Sequence, residues 1–396
     1  MRINRRLHFE LLLLALIVTL AGVSRLKADT GSCGGTTVTL PFTDVMSSGF
    51  FCQIAEAYFS GLTNGTSATS YGPTLNVPRE QMAAFITRTL DQSLKRGSRR
   101  AALDQYWTPT STDALALTSV GPDPLLVKSD GADLWVAHYV AGTVSRVRAS
   151  DGKLLETWTG ANFAVGVLAA RGLIFVTANT NPGRLYQIDP TLPVGAVTTL
   201  TSSLGAFSQG ISFDGARIWT ANGGSPGSVS IVTLNPLSVT TVTAGFTAPV
   251  GSLYDGSYTW VTELGSPGRL FKLDSTGAII QTVTVGNGLG IPIFDGTNIW
   301  VPNSISNTVT VVRASTGAVL ATLSGNELNG PRTAAFDGER ILVTNYNGNS
   351  VSLWKAADLS PLGSVSTGSM TSPIGACSDG LNFWITLNIS GHLARF

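Results

Sequence analysis

The sequence predicts an all-β chain, a seven-bladed β-propeller over residues 112–396, with a small α-helical segment ahead of it. Three observations predict this. A short phrase built on Asp-Gly recurs seven times at an even spacing. Each period holds four short β-like runs. A spare strand-like segment precedes the first full period and matches a strand that the last period lacks.

The phrase is Asp-Gly, two variable residues, one or two apolar residues, then Trp-Val and a polar end. It occurs as Asp130-Gly131 with Trp135, Asp214-Gly215 with Trp219, Asp255-Gly256 with Trp260, Asp295-Gly296 with Trp300 and Asp379-Gly380 with Trp384. Asp337-Gly338 carries Leu342 in the Trp position, and the degenerate Arg171-Gly172 carries Val176. The seven glycines are 41, 43, 41, 40, 42 and 42 residues apart. Repeats of about 40–45 residues with four strands each are the pattern of propeller blades. Asp-Gly supplies the hairpin turn, because glycine reaches positive φ without a steric penalty. In the fifth period the four runs are 291–294, 298–302, 308–313 and 319–323. The tryptophans offer large apolar bodies for packing between adjacent sheets.

The ends predict ring closure. The last period stops after a third strand at 392–396, and residues 114–120 resemble the fourth-strand segment 197–205. Donating that early strand to the last sheet would leave no open sheet edge.

Composition agrees with a turn-rich β chain. There are 44 glycines, only 12% charged residues and 43% hydrophobic residues, enough for a packed core. A formal net charge of +1 gives no field for nucleic acid, and none is expected as a partner. Arg2, Arg5 and Arg6 precede an apolar run at 11–23, too short to span a bilayer and of the length of a signal-peptide core. Residues 1–28 are therefore expected to direct export, with cleavage after Ser24 or Ala28. An uncleaved anchor is the alternative. The expected location is periplasmic, cell-surface or extracellular. Export permits disulfides. Cys33 and Cys52 are near enough in sequence to pair, and Cys377 in an apolar repeat position is expected to be a buried free thiol.

Residues 38–90 read as a helical domain. Phe51, Ile54, Ala55 and Tyr58 share one helical face, and Gly61 to Gly65 ends that helix. Pro78 opens a second helix whose inner face is Met82, Phe85, Ile86 and Leu90. The order Phe42-Thr43-Asp44-Val45, helix, Gly61-Leu62-Thr63-Asn64-Gly65, Tyr71-Gly72-Pro73, then Arg79-Glu80-Gln81-Met82-Ala83 resembles an S-layer homology domain. Pro78 and Gln81 depart from that family's usual Thr-Arg-Ala-Glu opening, and one repeat stands where members often carry three. The resemblance implies attachment to cell-envelope polysaccharide. The basic stretch 91–111 reads as a linker.

The repeats resemble the YVTN-type propeller repeats of bacterial and archaeal surface proteins, most clearly at Val343-Thr344-Asn345 and Asn349-Ser350-Val351-Ser352. Trp260-Val261-Thr262-Glu263 through Gly268-Arg269-Leu270 is similar to the repeat of the streptogramin lyases. That second resemblance implies a histidine base and magnesium held near glutamates. Beyond the leader the chain has two histidines, His138 and His392, and the counterpart acid would be Glu263, three blades from His138. His392, in a terminal strand, reads as structural. No His-Glu-x-x-His helix or Walker-type loop is present.

Propellers bind ligands at the mouth of the central channel. The residues closing the second strand of each blade are expected there: His138, Asn179, Asn222, Glu263, Asn303, Asn345 and Leu387. The polar six form a candidate ligand-binding rim able to hydrogen-bond a sugar or peptide. Asn at these positions also closes local turns. Tyr139, Tyr346 and Arg332 are further rim candidates. No catalytic residue, metal ligand or cofactor is assigned. The sequence thus points to an exported, non-catalytic binding or scaffold propeller for protein or glycan, with a metal-assisted lyase as the alternative.

Overall fold

The computed structural model describes residues 28–95 and 116–396. The export segment therefore lies outside the described residues, as do Ala114 and most of the expected linker. Contacts divide the chain into two units at residues 89 and 90.

The first unit opens with a hairpin that the sequence reading had not placed. Strands β1 (Thr30–Cys33) and β2 (Thr36–Thr39) pair antiparallel across Gly34-Gly35. Both glycines have positive φ, 57° and 85°, as a tight two-residue hairpin turn requires. Helix α1 (Phe51–Phe59) follows. Its buried side is Phe51, Ile54, Ala55 and Phe59; Tyr58 is half-buried and packs edge-on against Phe42. A disulfide joins Cys33 of β1 to Cys52 of α1, with Cα atoms 5.6 Å apart. The Asp44 carboxylate accepts hydrogen bonds from the Ser70 hydroxyl and the Tyr71 and Gly72 N–H groups. Helix α2 (Arg79–Lys95) runs past residue 91, into the stretch expected to be linker. Its expected inner face is open at Met82 and Ile86, which are exposed, and Phe85 is half-buried.

The second unit is a ring of seven four-stranded antiparallel sheets. Blades 1 to 7 span 124–159, 164–204, 208–242, 249–285, 293–323, 331–366 and 373–395. In blades 1 to 6 the four strands pair in sequence order, and first strands of neighbouring blades touch around the axis. The seventh sheet closes the ring. Its outer strand is β3 (Ala116–Ser119), paired with His392–Arg395 in the register Thr118↔Leu393. Val120, Val127, Val136 and Val147 then form one core cluster with Cys377, Trp384 and Leu393 across the joint. The Thr118 hydroxyl donates to Gly152 O of blade 1 at 2.6 Å. Cys377 is a buried free cysteine, and burial pushes its thiol up to about 12, so it stays protonated and unreactive.

The recurring aspartates have a structural use. In five blades one carboxylate oxygen accepts the indole N–H of the Trp five residues on: Asp130–Trp135, Asp214–Trp219, Asp255–Trp260, Asp295–Trp300 and Asp379–Trp384, at 2.7–2.9 Å. The other oxygen accepts backbone N–H groups of the turn, as Asp214 does from Ala216 and Arg217. One side chain thus closes the hairpin and satisfies a buried indole. In blade 6, where Leu342 stands in the Trp place, the Asp337 carboxylate accepts from the Arg340 guanidinium, as Asp214 also does from Arg217. Burial alone would raise the Asp130 and Asp214 carboxyls, but the Trp and backbone hydrogen bonds outweigh it and hold both below the ordinary value.

Two outcomes follow. Thr118→Pro removes a hydrogen bond from the closing ladder, at about 1–3 kcal/mol for the partner left unpaired. Calorimetry should show the propeller melting several degrees lower, and an unchanged melting temperature would count against closure through this strand. Asp295→Ala leaves the Trp300 N–H buried without its partner, at about 1–3 kcal/mol. Denaturant unfolding followed by tryptophan emission should report a loss of that size.

Candidate functional site at the channel mouth

One face of the ring gathers the loops that join successive blades and those that join second to third strands. The residues expected to form a polar rim lie at that face, but their side chains do not line the opening. His138, Asn222, Glu263, Asn303 and Asn345 are all fully buried, as is Leu387. Asn179, just beyond its strand, is half-buried.

The reason is the depth of the second strand. It lies one strand out from the axis, so its side chains are sandwiched between neighbouring blades. There each polar group pins its own blade. The Asn222 amide donates to Ser228 and Ser230, Asn303 to Thr308 and Thr310, and Asn345 to Ser350 and Ser352, at 2.7–3.2 Å. These bonds bridge second and third strands beneath the connecting turn. His138 does the same through Nε2 and Ser145 Oγ at 2.9 Å, while Nδ1 lies 3.0 Å from Pro122 O. Burial is the main reason that the His138 pKa is lowered, so the ring is neutral near pH 7. The Glu263 carboxylate accepts the Thr247 N–H at 2.7 Å and hydroxyl at 2.6 Å and pairs with Arg269. Among the described residues no three His, Cys, Asp or Glu side chains form a group that could hold a metal ion.

The opening is lined by the first strands. The second residue of each contributes in blades 1, 2, 3, 4, 6 and 7: Leu125, Val165, Gln209, Val250, Arg332 and Ile374. Ile291 fills the place in blade 5. Together with Leu126, Leu289 and Tyr346 they surround a cavity of about 260 Å³. The signal was present in the sequence as Pro249-Val250-Gly251 and Pro373-Ile374-Gly375, with Pro124 and Pro331 in the same place. The glycine after the lining residue is a close-approach position: a Cβ on Gly210 would stand 2.6 Å from Val250 O and Ser252 N, and one on Gly251 2.6 Å from Thr262 Oγ1.

A threonine of the second strand ties neighbouring lining strands. Thr177 Oγ1 accepts from Gly166 N and donates to Gln209 O, and Thr262 does so between Gly251 N and Gly290 O. Thr344 links Thr333 N to Ile374 O, and Thr386 links Gly375 N to Leu125 O across the closing joint. The lining strands are therefore tied to one another by hydrogen bonds, and most of the side chains they present are apolar. Arg332 is the one charged residue among those lining it. Its guanidinium stands 5.1 Å over the Tyr346 ring and has no ion pair among the described residues. Tyr139, the remaining candidate, stacks edge-on against Phe163 at 5.4 Å.

This geometry is that of a seven-bladed β-propeller. No protein-family model and no curated sequence matches the chain. Solved propellers do. Hydrazine synthase of Kuenenia stuttgartiensis superposes with a TM-score of 0.61 at 16% identity, over 74% of this chain and 98% of that one. Virginiamycin B lyase from Staphylococcus aureus gives 0.59 at 15% identity, over 71% and 99%. The WD40 propeller domain of Doa1 gives 0.59 at 14%, over 73% and 97%. Similarity at these identities establishes the fold alone.

The buried imidazole makes a checkable pH statement. Because the folded pKa of His138 is lowered, stability is full above about pH 6.5 and falls as pH drops through the folded pKa. An NMR titration should place the His138 midpoint below that of an unfolded control, and His138→Gln should flatten this part of the stability curve.

Proposed function

We propose that the chain is an exported cell-envelope propeller that binds protein or glycan at the channel mouth and performs no chemistry there. The observation that carries this is the contrast between two sets of residues. His138 and Glu263, the base and the magnesium-side glutamate of the lyase reading, are fully buried and engaged by their own blades. The accessible groups are apolar walls with Gln209, Arg332 and Tyr346 among them. A general base must reach its substrate's proton; an apolar pocket with a few polar groups is the usual form of a binding site.

The segment 38–90 supplies a second contact in this reading. Its likeness to an S-layer homology repeat supports attachment to envelope polysaccharide. The basic, apolar N-terminus supports export, and so does the disulfide between Cys33 and Cys52.

The test is capture from envelope fractions on the immobilised mature protein, alongside Val250→Trp, which fills the cavity. The wild type should retain a saturable protein or glycan that Val250→Trp loses while its melting temperature stays within a few degrees. Equal retention by both, or intact protein confined to the cytoplasm of its source cell, would end the reading.

A further inference from the structure

The loop-bearing face has a feature that the buried pins do not explain. Val140, Phe163, Phe207, Ile305 and Met370 are 76%, 48%, 42%, 74% and 72% exposed, and all lie on loops around the channel mouth. Single exposed apolar residues are ordinary; these stand on the loops around the one apolar cavity described above.

Backbone geometry adds an independent observation. Phe163, Phe207 and Met370 adopt φ of 58°, 58° and 56°, the left-handed region that bulky residues avoid. Phe163 and Phe207 directly precede the first strands of blades 2 and 3. In blades 1 and 7 that position is held by Asp123 and Ser372, also at positive φ, 55° and 46°. A small polar residue therefore serves the loop, and burial does not explain the phenyl rings. Strain of this kind collects at functional sites.

The charge at the centre says what the surface fits. Arg332 stands at an apolar cavity with an aromatic ring against its guanidinium and no carboxylate partner among the described residues. Arg332 is exposed to solvent at the cavity mouth, where a planar guanidinium can hold a carboxylate by two parallel hydrogen bonds. The cavity of about 260 Å³ has room for an apolar side chain. The apolar loop residues are not among those lining it; they sit on loops within blades 1 and 5 and leading into blades 2, 3 and 7, so a small acid alone would leave them unused.

We propose that this face captures the C-terminal end of a polypeptide. Its last residue is apolar and enters the cavity, its terminal carboxylate binds Arg332, and preceding residues lie across Phe163 and Phe207. This rests on the binding reading above and names its partner class.

Two N-acetylated hexapeptides ending in Leu-Phe, one a free acid and one an amide, test it by titration against the mature protein. The free acid should bind at least about tenfold tighter, a difference of about 1.4 kcal/mol. Arg332→Gln should abolish that preference. Phe163→Ser with Phe207→Ser should weaken both peptides alike at an unchanged melting temperature. Equal binding of acid and amide, or a preference that survives Arg332→Gln, overturns the proposal. If neither peptide binds while envelope capture still depends on an open cavity at Val250, the chain-end proposal falls and the binding reading stands. If capture is also lost, both fall.

Discussion

The pairing of Ala116–Ser119 with His392–Arg395 is the contact that makes the other six sheets a ring. It joins segments more than 270 residues apart in sequence and gives the last sheet the fourth strand that every other blade has. Closure also sets distances. Seven first strands around one axis must approach closely, and that requirement appears as glycines beside the lining residues and as threonines joined to the next blade's carbonyls. The Thr386 hydroxyl on Leu125 O carries the same link across the joint that β3 seals.

Polar side chains inside such a ring are almost all consumed by it. A buried carboxylate, amide or imidazole is tolerated only where partners replace water. Asp130 and its equivalents meet an indole and a turn. Asn222, Asn303, Asn345 and His138 meet hydroxyls on the next strand, while Asn303 Oδ1 and Asn345 Oδ1 have no partner among the described residues. Glu263 meets Thr247 and Arg269. Among the residues that line the cavity most are apolar, and Arg332 is the charged one. The functional character of the face comes from which groups the frame leaves unused.

Several features were legible in the residues and several were not. The even Asp-Gly spacing marks seven turns, and the Trp positions mark the cores between blades. The strand donated to the last sheet was legible because its segment copies a fourth strand elsewhere. The β1–β2 hairpin was missed because Thr-rich four-residue strands carry little apolar alternation. Helix α2 continues to Lys95, five residues into the stretch read as linker, since Gln92, Leu94 and Lys95 are good helix formers. The polar rim was placed at the right face but in the wrong layer: the end of a second strand is near the mouth in height and one strand away from it in radius.

Sequence alone determined the turns, the strand count and the closure, because those depend on local periodicity and on a repeat that copies itself. Tertiary structure alone decided which residues face the channel. A strand's alternation says that neighbouring side chains point opposite ways; it does not say which strand of a sheet is innermost, and only the packing of seven sheets about one axis turns Val250 and Arg332 toward the opening and His138 away from it.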